Sequence, residues 1–215
     1  RSGKRWLCHC RIDRSVNLQK GKGEKMDKTL KECLILGNGK SLVDVPEFML
    51  NTYPSFGVNY CLFQPNFYVC VDHDILTNHF NDIYGFVLNS DFAFLPAKDK
   101  GSSFLYDLPQ VCLVTNDRRA FKEEHFFSGM TVTYVALKLA FYLGFETVHL
   151  YGVDFSKEWD HYRPDYPPPT NPARESLMAE MFYHYSLAAD VYNKAGRRII
   201  NHSYPSKLDE IFPRE

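Results

Sequence analysis

Six short apolar runs, each about one strand long, constrain the fold of this chain more than any other feature of its sequence. They are "CLILG" (33–37), "FGVNY" (56–60), "FYVCV" (67–71), "YGFVLN" (84–89), "QVCLVT" (110–115) and "TVHLYGV" (147–153). A strand with one solvated face alternates polar and apolar residues, whereas a continuous apolar run belongs to a sheet covered on both faces, the usual setting of parallel strands. Helical patterns separate the runs: "SLVDVPEFMLNTY" (41–53), "DILTNHFNDI" (74–83) and "SGMTVTYVALKLAFYLG" (128–144). The third is apolar on nearly every side, with Ser128 as its N-cap and Gly144 as its C-cap. Met178, Met181, Phe182, Tyr185, Ala189 and Tyr192 then recur at helical spacing, the helix ends near Gly196, and "RRIINHS" reads as a last strand. Strands alternating with helices predict an α/β fold with a mostly parallel sheet and helices on both faces.

The 215 residues suit one domain of ordinary size. Charge divides the chain unevenly. Residues 1–31 hold ten Lys/Arg against three Asp/Glu, so the remainder carries about −8 of a net −1. The expected organisation is a basic, flexible leader over 1–31 and a folded body over 32–215. The leader lacks apolar periodicity, so nucleic acid is not an expected partner. No run approaches the roughly 18 apolar residues of a membrane span, and no signal-peptide pattern opens the chain, so a cytoplasmic location is expected, with peripheral membrane contact as an option. Cys33, Cys61, Cys70 and Cys112 lie in or beside apolar runs and read as reduced, buried thiols. Cys8, His9 and Cys10 cluster, but no second Cys/His pair completes a zinc set.

Three stretches carry residues suited to chemistry. In "LILGNGKSL", Gly37 and Gly39 follow a buried strand and precede a helix, where absent Cβ atoms let main-chain N–H groups approach a phosphate or ribose. Asn38 and Ser41 add directional hydrogen bonds. The loop satisfies neither the Walker A spacing nor the dinucleotide fingerprint, and a tight strand-to-helix turn selects the same residues, so both readings stay open. In "VCVDHDIL", Asp72 and Asp74 end a strand; their spacing suits either a shared divalent ion or, more simply, a helix cap. The long loop "SKEWDHYRPDYPPPTNP" after Asp154 offers His161 as a general base, with Tyr162, Tyr166 and Arg163 as groups able to support a departing phosphate. A histidine in a polar loop is also often merely solvated.

Taken together these segments resemble the sialyltransferase-like glycosyltransferases. "LILGNGKSL" is similar to the family's G-N-G-P-S-L element, with Lys40 in place of the proline. "SGMTVTYVALKLAFYLGFETVHLYGVDF" is similar to its second nucleotide-binding motif. The resemblance implies a Rossmann-like fold and transfer of a sugar, sialic-acid-like, from a CMP-activated donor to a glycan or other hydroxyl acceptor, with inversion and without an essential metal. It implies nucleotide contacts from Gly37, Asn38, Gly39, Ser41, Asn59, Ser128, Gly129 and Asp154, and catalytic roles for His161, Tyr162 and Tyr166. The loop element also resembles archaeal-type pterin diphosphokinases, which implies Mg²⁺ on Asp72, Asp74 and Asp154 and pyrophosphoryl transfer. A nucleotide-binding protein without catalysis is the third expectation.

Overall fold

The computed structural model describes residues 31–96, 104–114, 131–156, 161–162 and 174–214. Seven strands form one sheet: β1 (Glu32–Leu36), β2 (Ser55–Val58), β3 (Phe67–Val69), β4 (Phe92–Pro96), β5 (Val111–Val114), β6 (Thr147–Tyr151) and β7 (Arg198–Asn201). Their order is β5-β4-β3-β2-β1-β6-β7, and every pairing is parallel. The fold is therefore Rossmann-like. From β1 the chain steps outward to β5, returns to the other side of β1 as β6, and continues to β7.

Side-chain alternation along these strands feeds two faces. Cys33, Ile35, Phe56, Val58, Val148 and Leu150 pack against α4 (Val132–Leu143) and α5 (Arg174–Lys194). On the other face, Leu34, Leu36 and Tyr151 meet Met49 of α1 (Glu47–Thr52). Farther along that face, Tyr68, Cys70, Ala93 and Leu95 meet Ile75 of α2 (His73–Asn78) with Ile83 and Val87 of α3 (Phe80–Asn89). Burial on both sides is why the strands read as continuous apolar runs. Cys33, Cys61, Cys70 and Cys112 are buried in this core, outside any disulfide.

Several boundaries differ from the sequence reading. "YGFVLN" (84–89) is not a strand but the end of α3. Ile83 and Val87, one helical turn apart, are its buried residues, and the Ser90 amide closes the helix on the Phe86 carbonyl. The strand lies just beyond, at "FAFLP". The helix expected from Ser128 starts instead at Val132. Its N-cap is Thr131, whose side-chain oxygen accepts from the Thr133 amide, while Ser128 lies outside the described residues. Its other end matches the expectation: Gly144 stops α4 with φ +96, in the left-handed region. "SLVDVPEFMLNTY" divides at Pro46 into a 3₁₀ turn (Lys40–Asp44) and α1, and "DILTNHFNDI" divides at His79 into α2 and α3.

Among the described residues, no helix is long and apolar enough to cross a membrane. Residues 1–30 of the basic leader lie outside them.

Candidate functional site

In an open parallel sheet the helices leave a crevice beyond the C-terminal strand ends where the strand order reverses. Here that place lies between β1 and β6, and each of the two strands is followed by a glycine. The Gly37 amide donates to the Tyr151 carbonyl at 2.7 Å, and the Gly39 amide donates to the Gly152 carbonyl at 2.7 Å. A Cβ on Gly37 would stand 2.2 Å from the Gly152 carbonyl oxygen and 2.7 Å from its carbon. Gly152 itself has φ +68. One glycine is thus required by backbone contact and the other by its dihedral.

Asp154 closes the loop from the far side. Its carboxylate accepts from the Ser41 amide at 3.0 Å and, through its other oxygen, from the Ser41 hydroxyl. A Cβ on Gly39 would fall 2.4 to 2.8 Å from that carboxylate. The Leu42 amide donates to the Gly39 carbonyl. The amides of Gly37, Gly39, Ser41 and Leu42 are therefore all aimed at acceptors of the protein itself. An open cradle of main-chain N–H groups, one of the two readings of this loop, is not what these four form. The tight-turn reading accounts for the glycines.

Asn38 links the loop to the next strand, its Nδ2 donating to the Val58 carbonyl at 2.9 Å. Asn59 follows at the end of β2, buried and with φ +50, a left-handed conformation that asparagine tolerates better than most residues. Its amide donates to the Val69 carbonyl, and its carbonyl accepts from the Tyr68 hydroxyl at 2.8 Å.

The post-β6 segment returns to the same loop. The Tyr162 amide donates to the Asn38 carbonyl at 2.7 Å, and His161 pairs with Gly39 in an isolated antiparallel bridge. His161 is half-buried and Tyr162 is 39% exposed, so the tyrosine ring is open to solvent beside the loop. Gly37, Asn38, Gly39, Ser41, Asn59, Asp154, His161 and Tyr162 thus gather at one strand crossover. Ser128, Gly129 and Tyr166 lie outside the described residues.

Asp72 and Asp74 serve elsewhere. Asp72 is the N-cap of α2, accepting from the Asp74 and Ile75 amides, as the simpler sequence reading held. With Asp154 committed to Ser41, the three carboxylates do not converge. Among the described residues, no group of three or more His, Cys, Asp or Glu is placed to hold a metal ion.

Two further residues support the crossover that sequence reading had given no role. Val153 is held on both main-chain groups: its amide donates to the Ser203 hydroxyl at 2.8 Å, and its carbonyl accepts from the Ser206 hydroxyl at 3.1 Å. Serine in "NHSYPS" is the only available signal, and it does not reveal a partner some fifty residues earlier.

No family model matches the sequence, and no curated protein matches it. Solved structures do match. The monofunctional α-2,3-sialyltransferase Cst-I from Campylobacter jejuni superposes with a TM-score of 0.56 at 16% identity, over 88% of this chain and 82% of that one. The sialyltransferase CstII from the same organism, in complex with the substrate analogue cytidine-5'-monophosphate, gives 0.54 at 14% identity, over 86% and 84%. CstII in complex with CMP-3FNeuAc gives 0.53 at 13% identity, over 86% of each chain. At these identities the likeness establishes a shared fold.

Proposed function

We propose that this chain, which has the fold of the sialyltransferases, transfers a sugar from a CMP-activated donor to a hydroxyl acceptor with inversion. The observation that carries the reading is the return of His161 and Tyr162 to the Asn38–Gly39 loop at the strand crossover, where the Tyr162 amide meets the Asn38 carbonyl at 2.7 Å. That His161, the candidate base, lies beside the glycine turn supports this reading.

Transfer with inversion requires that the acceptor oxygen lose a proton on one side of the sugar while negative charge grows on the departing phosphate on the other. In this proposal the His161 imidazole takes the acceptor proton, and the Tyr162 and Tyr166 hydroxyls donate to the phosphate. Gly37, Asn38, Gly39, Ser41, Asn59, Ser128 and Gly129 surround the nucleotide. Because the Ser41 and Gly39 amides are engaged, the first loop meets the donor through its shape rather than through an amide cradle. Asp154 positions the loop. No step requires a metal.

The test is incubation of the purified chain with a panel of nucleotide sugars, following CMP release and transfer. His161→Ala should lower turnover by about 10²- to 10⁴-fold while donor binding persists. Failure of any CMP-linked donor to bind would refute the reading. If donors bind and neither the native chain nor the variant turns them over, nucleotide binding without catalysis is the better description.

A further inference from the structure

Away from the crossover, three titratable side chains form a chain of contacts across the α1-side face of the sheet. His149, in the middle of β6 and only 6% exposed, places Nε2 at 2.9 Å from the Glu32 carboxylate of β1. Its Nδ1 lies 2.9 Å from Nε2 of His202, just beyond β7. The Tyr53 ring stacks on His149, and the Tyr151 ring lies parallel to His202, 4.5 Å between centroids and 4° apart in plane. Charged groups flank it along the strands: Arg198 of β7, whose Nε reaches the Thr147 hydroxyl, and the Lys31–Glu146 pair at 2.8 Å. From the α1 side the Tyr53 ring approaches.

This geometry limits how many protons the two imidazoles can hold. An ionised carboxylate only accepts, so His149 Nε2 carries a hydrogen. Between His149 Nδ1 and His202 Nε2 there is then room for a single proton, owned by either ring. The pair can be neutral or singly charged. With both rings charged, two N–H groups would face each other at hydrogen-bond distance, and the contact cannot persist.

His202 also belongs to the segment that clasps the crossover. Its amide donates to the Leu150 carbonyl at 2.9 Å, and the next residues, Ser203 and Ser206, hold Val153 at both main-chain groups. Val153 lies between Gly152, which accepts from Gly39, and Asp154, which holds Ser41. We propose that Glu32, His149 and His202 form a proton-operated latch. It holds residues 201–206 against the 150–154 turn while the imidazoles share one proton, and it releases that segment when both are charged on acidification.

The sign follows from proton counting. The open form binds one more proton than the closed form, so the closed form loses stability as pH falls. Between about pH 5 and 8, histidine is the side chain whose charge is most readily changed. The latch is independent of whether the chain transfers sugars.

Amide hydrogen exchange of the full chain across this range tests it, with rates corrected for the intrinsic pH dependence. Protection at Val153, Gly39 and His202 should fall by about tenfold per pH unit once the second proton is taken up, the dependence set by one extra proton. Val69 in β3 should not follow. In His202→Gln, whose amide can donate to His149 Nδ1 without titrating, the pH dependence should flatten. A flat profile in the native chain overturns the proposal even if the variant does not fold. So does parallel loss at Val69, which marks global unfolding, or a variant as pH-dependent as the native chain.

Discussion

Replacing Gly37 with alanine tests the claim that backbone packing, rather than a ligand, dictates glycine at the crossover. The new methyl carbon would lie 2.2 Å from the Gly152 carbonyl oxygen, and neither partner is the far end of a flexible side chain. The two strands must separate locally. Overpacking of this kind typically costs about 1–3 kcal/mol. Separation also weakens the Gly37–Tyr151 and Gly39–Gly152 hydrogen bonds, each contributing about 1 kcal/mol net. A loss of about 2–5 kcal/mol is expected, which for a chain of this size lowers Tm by roughly 5–15 °C. Gly85→Ala is the matched control: Gly85 lies in α3 with nothing within 4 Å of its would-be Cβ. There alanine should raise stability by about 0.5–1 kcal/mol. Thermal melting and urea denaturation of the three proteins decide the matter. A Gly37→Ala protein melting within about 2 °C of the native one would refute the backbone-contact account, as would a control that falls equally far.

Asp154→Ala should cost about 2–4 kcal/mol in urea denaturation, because it strands the buried Ser41 hydroxyl and amide; Asp154→Asn keeps an acceptor and should cost less. Thr131→Ala removes the side-chain cap of α4, and a loss of about 1 kcal/mol is expected by the same assay. Burial pushes the Tyr134 hydroxyl up to about 12 and also raises Tyr185 and Tyr192. In the native state these phenols hold their protons above the pH at which unfolded tyrosines ionise, about 10. The stability they contribute is complete below that pH and is lost as pH rises through the folded values. Phenolate absorbance should therefore lag behind that of exposed tyrosines and then appear together with alkaline unfolding.

The strand-loop units at 33–41 and 147–154 were legible in the sequence because each joins a continuous apolar run to a glycine turn, a pattern generated by local physics. "YGFVLN" misled because aromatic and β-branched residues favour strands in isolation, while only packing against the sheet reveals that Ile83 and Val87 share a helical face. The cap at Asp72 was readable because capping involves residues two and three positions away. The engagement of Ser41 by Asp154 was not, since it links residues 113 apart. The sequence left a phosphate-binding loop and a tight turn both open at this point. The folded chain puts its own carboxylate there. The contact of His149 with His202, 53 residues apart, lay beyond any periodicity argument for the same reason.

The interior position of β1 in the sheet has a kinetic consequence. Strands β1 to β4 each pair with the next one along the chain, so that part of the sheet can form progressively from its N-terminal side. Pairing of Leu36 with Tyr151 must instead wait until the whole intervening chain has been made and brought back. Closing so long a loop is slow relative to neighbouring contacts. During synthesis one edge of β1 stays open until β6 emerges, and an unpaired edge is prone to mispairing. Gly37, which cannot tolerate a methyl group in the finished crossover, thus guards the seam that waits longest for its second strand.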